Sequence, residues 1–188
     1  MPDANATDAL TDVAARLNAL GVQYMLTGSG AAMFYGLSRS TADLDVVIDL
    51  DILDAAPLVD AFDGDYYVDP DAVFDALEHR SMFNVIPLFP GLKTDFILLR
   101  DEPFQQVAFE RRQQVDWHGT PVWVIDPRDL VLSKLNWARD SHSEQQFADV
   151  RTIMASGFVE EDDEFRAWID RLHLQDVLDA SRTTGYDA

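Results

Sequence analysis

Apolar residues recur along the chain in two rhythms, one suited to helices and one to strands. Leu10, Val13, Leu17 and Leu20 repeat at helical spacing, which predicts an amphipathic helix over residues 7–20 with Thr7 as N-cap and Gly21 as its stop. A short strand is expected at 23–27, then a Gly28-Ser29-Gly30 turn and a short helix over 31–35 ended by Gly36. Residues 44–50 read as the next strand, 51–62 as a helix, and Tyr66 falls in a brief strand. Asp69-Pro70 opens another helix, with proline at the first position, where its missing N–H is not needed. Strands at 82–87 and 94–99 stand at hairpin distance around Phe89-Pro90-Gly91.

The second half continues with a helix over 103–111 and a hairpin of 114–117 with 122–125 around His118-Gly119. Helices then dominate. Asp126-Pro127 caps a helix over 128–139, and Ser143 with Gln146 forms a capping-box start for one reaching Ser156. The charge run from Glu160 to Glu164 predicts a solvated connector. No internal repeat or low-complexity tract interrupts this order. The fold class expected is α/β (α+β), a mixed sheet flanked by helices with a helical C-terminal segment.

Composition sharpens the picture. A length of 188 residues with 47% hydrophobic content is enough for one well-filled domain. The first ten residues lack the basic start and apolar stretch of a signal peptide, and no apolar run approaches the roughly 18 residues of a membrane span. A cytoplasmic protein with no membrane partner is expected. The absence of cysteine excludes disulfides, thiolate nucleophiles and zinc-thiolate sites. Oxygen donors remain, with His79, His118, His142 and His173, which show no ligand spacing. Hard cations are therefore favoured.

A formal charge of -20 opposes nucleic-acid binding through a general basic surface, because that affinity comes from neutralising phosphates. Any polyanionic substrate must be gripped locally. Asp far outnumbers Glu, and Lys93 and Lys134 are the two lysines in a chain whose other cations are Arg, a bias that suggests adaptation to high salt. At molar salt the Debye length shrinks to about 3 Å, and global charge matters less.

Asp43 and Asp45 interrupt an apolar strand two residues apart, so alternation points both to one face while Leu44, Val46 and Ile48 face the core. Asp95 sits among Phe96, Ile97 and Leu98, and adds a third carboxylate if its strand is a neighbour. Three acidic oxygens suit Mg²⁺, which keeps several waters and takes substrate phosphates as its remaining ligands. The pair alone is equally well read as solvated strand-end aspartates. Upstream, a strand, a small-residue turn and a helix N-terminus make an anion site from free backbone N–H groups, with the Ser29 hydroxyl as an added donor.

Gly28-Ser29 followed fifteen residues on by Asp43-Leu44-Asp45 resembles the signature of the DNA polymerase β-like nucleotidyltransferase superfamily, with Asp95 in the place of its third carboxylate. A narrower likeness runs through GSGAAMFYGLSRSTADLDV, LKTDFILLRDEPF, FERRQQV and PRDLVLSKLNWARDSHSEQQFADV. These four blocks resemble the small bacterial and archaeal nucleotidyltransferases related to AbiEii-type abortive-infection toxins. Ser29 stands where many relatives have a second Gly. The resemblance implies a minimal polymerase β-like fold, with residues 1–125 as the nucleotidyltransferase core and 126–188 as a helical segment packed on it in one compact unit.

The same resemblance implies that Gly28 and Ser29 contact the triphosphate. Asp43 and Asp45 would then hold two Mg²⁺ ions, with Mn²⁺ as an alternative, and Asp95 would be third ligand and base. In the toxin-like relatives the lysine matching Lys134 contacts the triphosphate, and the aspartate matching Asp149 belongs to the same site. Read without it, Lys134 borders the apolar face of Leu130, Val131, Leu135 and Ala138 as a snorkelling surface lysine, and Asp149 has Gln145 and Arg151 as plain partners. Arg39 fits either a bidentate phosphate clamp or an ion pair with one of the many aspartates. Arg111 and Arg112 read as exposed helix-end charges, and Trp117, Trp123 and Trp137 as core or sheet-face residues.

The function expected is transfer of NMP from NTP to an acceptor hydroxyl on RNA such as tRNA, on a protein, or on a small molecule such as an aminoglycoside. That includes service as the toxin of a toxin-antitoxin pair with a cognate antitoxin. The alternative is a catalytically silent nucleotide-binding regulator or antitoxin partner.

Overall fold

The computed structural model of the protein describes residues 4–39, 41–141 and 143–183. His142, to which the sequence gives no role, lies outside the described residues. The chain divides into two compact units, Met1–Gly30 with Ser38–Ile125, and Ala31–Leu37 with Asp126–Ala188.

The first unit holds a mixed sheet of seven strands among the described residues: β1 (Gln23–Thr27), β2 (Asp43–Asp49), β3 (Tyr66–Val68), β4 (Met82–Pro87), β5 (Lys93–Leu98), β6 (Gln113–Trp117) and β7 (Thr120–Val124). Their spatial order is β3-β4-β5-β2-β1-β7-β6. β2 runs parallel to β5 and β1 parallel to β7, while the other neighbours are antiparallel. Alternation decides the faces. Leu44, Val46 and Ile48 of β2, Phe96 and Leu98 of β5, and Phe83 and Val85 of β4 are buried.

Helices α1 (Ala4–Leu20), α3 (Ala55–Phe62) and α4 (Pro70–His79) contribute to this core Leu10, Val13 and Leu17, then Leu58 and Phe62, then Val73 and Ala76. Phe62 meets Phe96 edge-on with ring centroids 5.7 Å apart. Each such large apolar side chain contributes about 1.5–3 kcal/mol by leaving water. Arg16 pins α1 to the start of β3: it bonds Asp12, the Ala61 carbonyl and Asp65, and its guanidinium lies over the Phe62 and Tyr66 rings. The unit is completed by α5 (Pro103–Arg111).

Several boundaries differ from expectation. The first helix begins at Ala4, so Thr7 lies inside it instead of capping it. The predicted Gly28-Ser29-Gly30 turn is absent, because Gly28 turns the chain in a single residue at φ +62° and opens α2 (Gly28–Ala32) directly. A turn of 3-10 helix, Met33–Tyr35, follows and ends at left-handed Gly36. The predicted 51–62 helix is split into a 3-10 turn, Ile52–Asp54, and α3. β2 and β5 each start one residue early, which takes Asp43 and Lys93 into the sheet.

The second unit is helical, with α6 (Pro127–Ser141), α7 (Glu144–Ala155), α8 (Asp163–Arg171) and α9 (Gln175–Thr183). Leu130, Leu135, Phe147, Val150, Ile153, Phe165 and Ile169 are buried in it. The expected capping box of α7 is half formed: the Ser143 hydroxyl accepts from the Gln146 N–H, but the Gln146 side chain bonds Lys134. Nor is the 160–164 charge run a plain connector. Asp162 caps α8 by accepting from the Phe165 N–H, and Asp163 and Glu164 occupy its first turn, where carboxylates favour the helix dipole. Among the described residues no helix is long and apolar enough to cross a membrane.

Candidate active site

Register brings the acidic residues together across the sheet. Thr27 of β1 lies opposite Asp45 of β2, Asp45 opposite Asp95 of β5, and Asp95 opposite Asn84 of β4. Two residues away along β2, Asp43 lies opposite Lys93. Residues directly opposite in a ladder share a face, so Asp43, Asp45, Asp95, Asn84 and Lys93 line one face of three adjacent strands. That face is the reverse of the one carrying Leu44, Val46 and Phe96 into the core.

The entry to β2 is fixed by Thr41, whose buried hydroxyl donates to the Asp43 carbonyl at 2.7 Å. Gly28 is held against the carboxylate row. A Cβ at that position would overlap Asp45, with Cγ 2.7 Å away, and φ there is left-handed, so an L side chain is disfavoured twice. The Asp45 carboxylate thus packs directly against the backbone of the β1–α2 junction, a contact that any side chain at position 28 would prevent. Ser29 Oγ accepts from Arg39 Nη2 at 2.7 Å, which draws together the two predicted phosphate contacts.

Asp95 is the most enclosed of the three carboxylates, and two neighbours hold it. Lys93 Nζ lies 2.8 Å from Oδ1 and 2.9 Å from Oδ2, and Asn84 Nδ2 donates to Oδ1. Hydrogen bonding to Asp95 raises the Lys93 pKa above the usual lysine value against a lowering by desolvation, and the charges of Asp95, Asp43 and Asp45 add to the rise. A single ammonium therefore sits in the field of all three carboxylates. Among the described residues no three His, Asp or Glu side chains are gathered closely enough to hold a metal ion. The donor set still fits a hard divalent cation in kind, with three carboxylates on one face of the neighbouring strands β2 and β5.

Lys93 and Asn84 were not singled out by sequence reasoning. The available signal was alternation: Lys93 is two residues from Asp95 on one strand, and Asn84 is the polar position between exposed Met82 and Ile86.

Lys134 and Asp149 lie in the helical unit and pair with each other at 2.8 Å, with side chains 4% and 2% exposed. Lys134 Nζ also donates to Gln146 Oε1 at 3.2 Å. The snorkelling alternative is corrected, since the ammonium itself is buried. Asp149 takes Lys134, while Arg151 donates to the Ser181 carbonyl.

Arg112 is not an exposed helix-end charge. Its guanidinium lies 4.0 Å from the Phe109 ring centroid and 5.0 Å from that of Trp123, and Nη2 donates to Gln23. Burial pushes its pKa down. Trp137, expected in the core or on the sheet, is 67% exposed on α6.

No protein-family model matches the chain, and no curated protein sequence matches it. Solved structures do. An antigenic nucleotidyltransferase-like protein from Paracoccidioides brasiliensis aligns at a TM-score of 0.59 and 15% identity, covering 94% of this chain and 91% of that one. ANT(2″)-Ia in complex with adenylyl-2″-tobramycin aligns at 0.57 and 12% identity, over 91% of this chain and 98% of its own. A solution structure of the antibiotic-resistance factor ANT(2″)-Ia aligns at 0.51 and 12% identity, over 94% and 90%. The mixed sheet with flanking helices is thus a nucleotidyltransferase-type fold.

Proposed function

We propose that the chain is a divalent-cation-dependent nucleotidyltransferase that moves NMP from an NTP to an acceptor hydroxyl. The observation that carries this reading is the register that sets Asp45 beside Asp95, with Gly28 against the Asp45 carboxylate. Asp43, Asp45 and Asp95 would hold Mg²⁺ or Mn²⁺. When bound, such ions assist ionisation of the attacking hydroxyl and neutralise the departing pyrophosphate.

The remaining work falls to the chain. Gly28 lets the backbone approach a phosphate, and Ser29 with Arg39 supplies a hydroxyl and a planar cation for it. Asp95 takes the acceptor's proton as the new oxygen–phosphorus bond forms at the α-phosphate and the bond to the β-phosphate bridging oxygen breaks. The triphosphate role of Lys134 and Asp149, and the narrower AbiEii-type reading with a tRNA or protein acceptor and an antitoxin partner, rest on the sequence resemblance. A charge of -20 favours a cationic or neutral small acceptor over RNA at low salt. ANT(2″)-Ia, bound to adenylyl-2″-tobramycin, makes an aminoglycoside the first small acceptor to try.

The rival is a nucleotide-binding partner without turnover, favoured by the grip of Lys93 and Asn84 on Asp95. Labelled NTPs, Mg²⁺ and tRNA, protein or aminoglycoside acceptors, at low and at molar salt, separate the two. Transfer by the wild type is expected, with Asp95→Asn keeping NTP affinity within about tenfold while transfer falls about a hundredfold or more. Tight Mg-NTP binding without transfer to any acceptor supports the silent partner.

A further inference from the structure

The two oxygens of Asp95 both face Lys93 Nζ, at 2.8 and 2.9 Å, on a face shared with Asp43 and Asp45. An ammonium is a compact, strongly hydrated point charge on a flexible stem, so it is well suited to occupy a carboxylate that a harder, more highly charged ion would take. The Lys93 side chain is 40% exposed, which leaves the stem a path to solvent, whereas Asp95 is 10% exposed and held by Asn84 as well. One partner is therefore free to leave and the other is fixed.

We propose that Lys93 is a tethered counter-ion of the carboxylate row, which holds Asp95 until a divalent cation displaces it and so sets the cation concentration at which the site assembles. This inference rests on the nucleotidyltransferase reading above, because it assumes that the row takes a divalent ion. Lys93 acts through Asp95 and is a positioning residue. Its exchange needs no proton transfer: the ammonium swings off the carboxylate still charged, and the incoming ion replaces its charge. The device discriminates by valence. A monovalent ion gains little over the ammonium already present, while a divalent ion gains twice the Coulomb attraction to the same three carboxylates.

The pKa of Lys93 agrees with this placement, being raised by hydrogen bonding to Asp95 and then by the charges of Asp95, Asp43 and Asp45. Strand position reinforces it. Lys93 is the first residue of β5, so its backbone is anchored in the ladder opposite Asp43 while its side chain reaches along the face to Asp95.

The test is Mn²⁺ binding to the full chain without nucleotide, followed by electron paramagnetic resonance or calorimetry, in wild type, Lys93→Met and Lys93→Arg. The methionine variant should bind Mn²⁺ about tenfold or more tightly than wild type, and the arginine variant should return affinity to near the wild-type value. A residue that merely supported the strand would change the melting temperature and leave Mn²⁺ affinity the same in all three proteins. Equal or weaker Mn²⁺ affinity in a folded Lys93→Met protein, with wild-type binding still abolished by Asp43→Asn and Asp45→Asn, overturns the counter-ion role and leaves the metal site standing. Binding by Lys93→Met where wild type binds nothing supports it. Absence of Mn²⁺ binding in all three proteins overturns both the role and the metal-dependent reading.

Discussion

Both lysines of the chain end on an aspartate, and the two pairs could hardly be placed more differently. Lys93–Asp95 lies on a sheet face with side chains 40% and 10% exposed, whereas Lys134–Asp149 is sealed between helices at 4% and 2%. The contact distance is 2.8 Å in each. What differs is the cost of separation. The open pair can exchange its partner for water or another ion, so its net worth is small. Separating the closed pair leaves two charges in a low-dielectric interior without each other's attraction. Equal geometry thus comes with a low cost of separation in one unit and a high one in the other.

The sharpest way to break this contrast is Lys134→Ala. It takes the ammonium away from the buried Asp149 carboxylate and should destabilise the protein by about 3–5 kcal/mol, read from denaturant unfolding. Combining Lys134→Met with Asp149→Leu should recover most of that loss, since a buried pair replaced by apolar residues of similar volume is often neutral. Were Lys134→Ala to unfold like wild type while triphosphate affinity fell, the closed pair would belong with the open one as a functional contact.

Next in size is the double change Asp43→Asn with Asp45→Asn on the open face. It should remove the divalent-dependent part of NTP affinity, about tenfold or more in calorimetry. The apo protein should melt no lower than wild type, because two like charges leave one face. Equal NTP affinity in the two proteins, with and without Mg²⁺, would sink the metal site.

A smaller effect belongs to Asp162, at the cap of α8. Its pKa lies below the ordinary carboxylate range because it accepts the Phe165 N–H, with Arg128 adding to the shift against desolvation. A depressed folded pKa contributes stability that is complete above the unfolded value and is lost as pH falls through the folded one. Asp162→Asn keeps a capping oxygen but cannot titrate. The difference in melting temperature between the two proteins should therefore shrink on acidification below the carboxylate range and stay constant between pH 6 and 8.

The carboxylate row was legible in the sequence because alternation in a strand is a local rule: Asp43 and Asp45 had to share a face once β2 formed. That Asp95 lies beside Asp45 is a fact of long-range pairing, which came through the motif likeness and not through any local pattern. Lys93 escaped notice for a related reason. Alternation puts it on the face of Asp95, but that its ammonium reaches Asp95 is a side-chain contact that strand periodicity does not specify. The Gly28–Ala32 helix was missed because small residues signal a turn locally, whereas the deciding constraint is the Asp45 side chain seventeen positions away. Asp149 illustrates the same limit in a helix, since its partner lies fifteen residues upstream on another element.

The ladder that seats Leu26 beside Val124 has a consequence for the chain as it is made. β1 leaves the ribosome before its partner β7, which emerges only after nearly a hundred further residues have been synthesised. Through that interval one edge of β1 carries unpaired backbone groups beside Met25 and Leu26, the kind of apolar edge that invites pairing between chains. Parallel pairings of such long span also form slowly. A nascent chain halted before residue 124 should accordingly depend on a chaperone or aggregate, and the hairpin of β6 and β7 is the segment whose arrival ends that exposure.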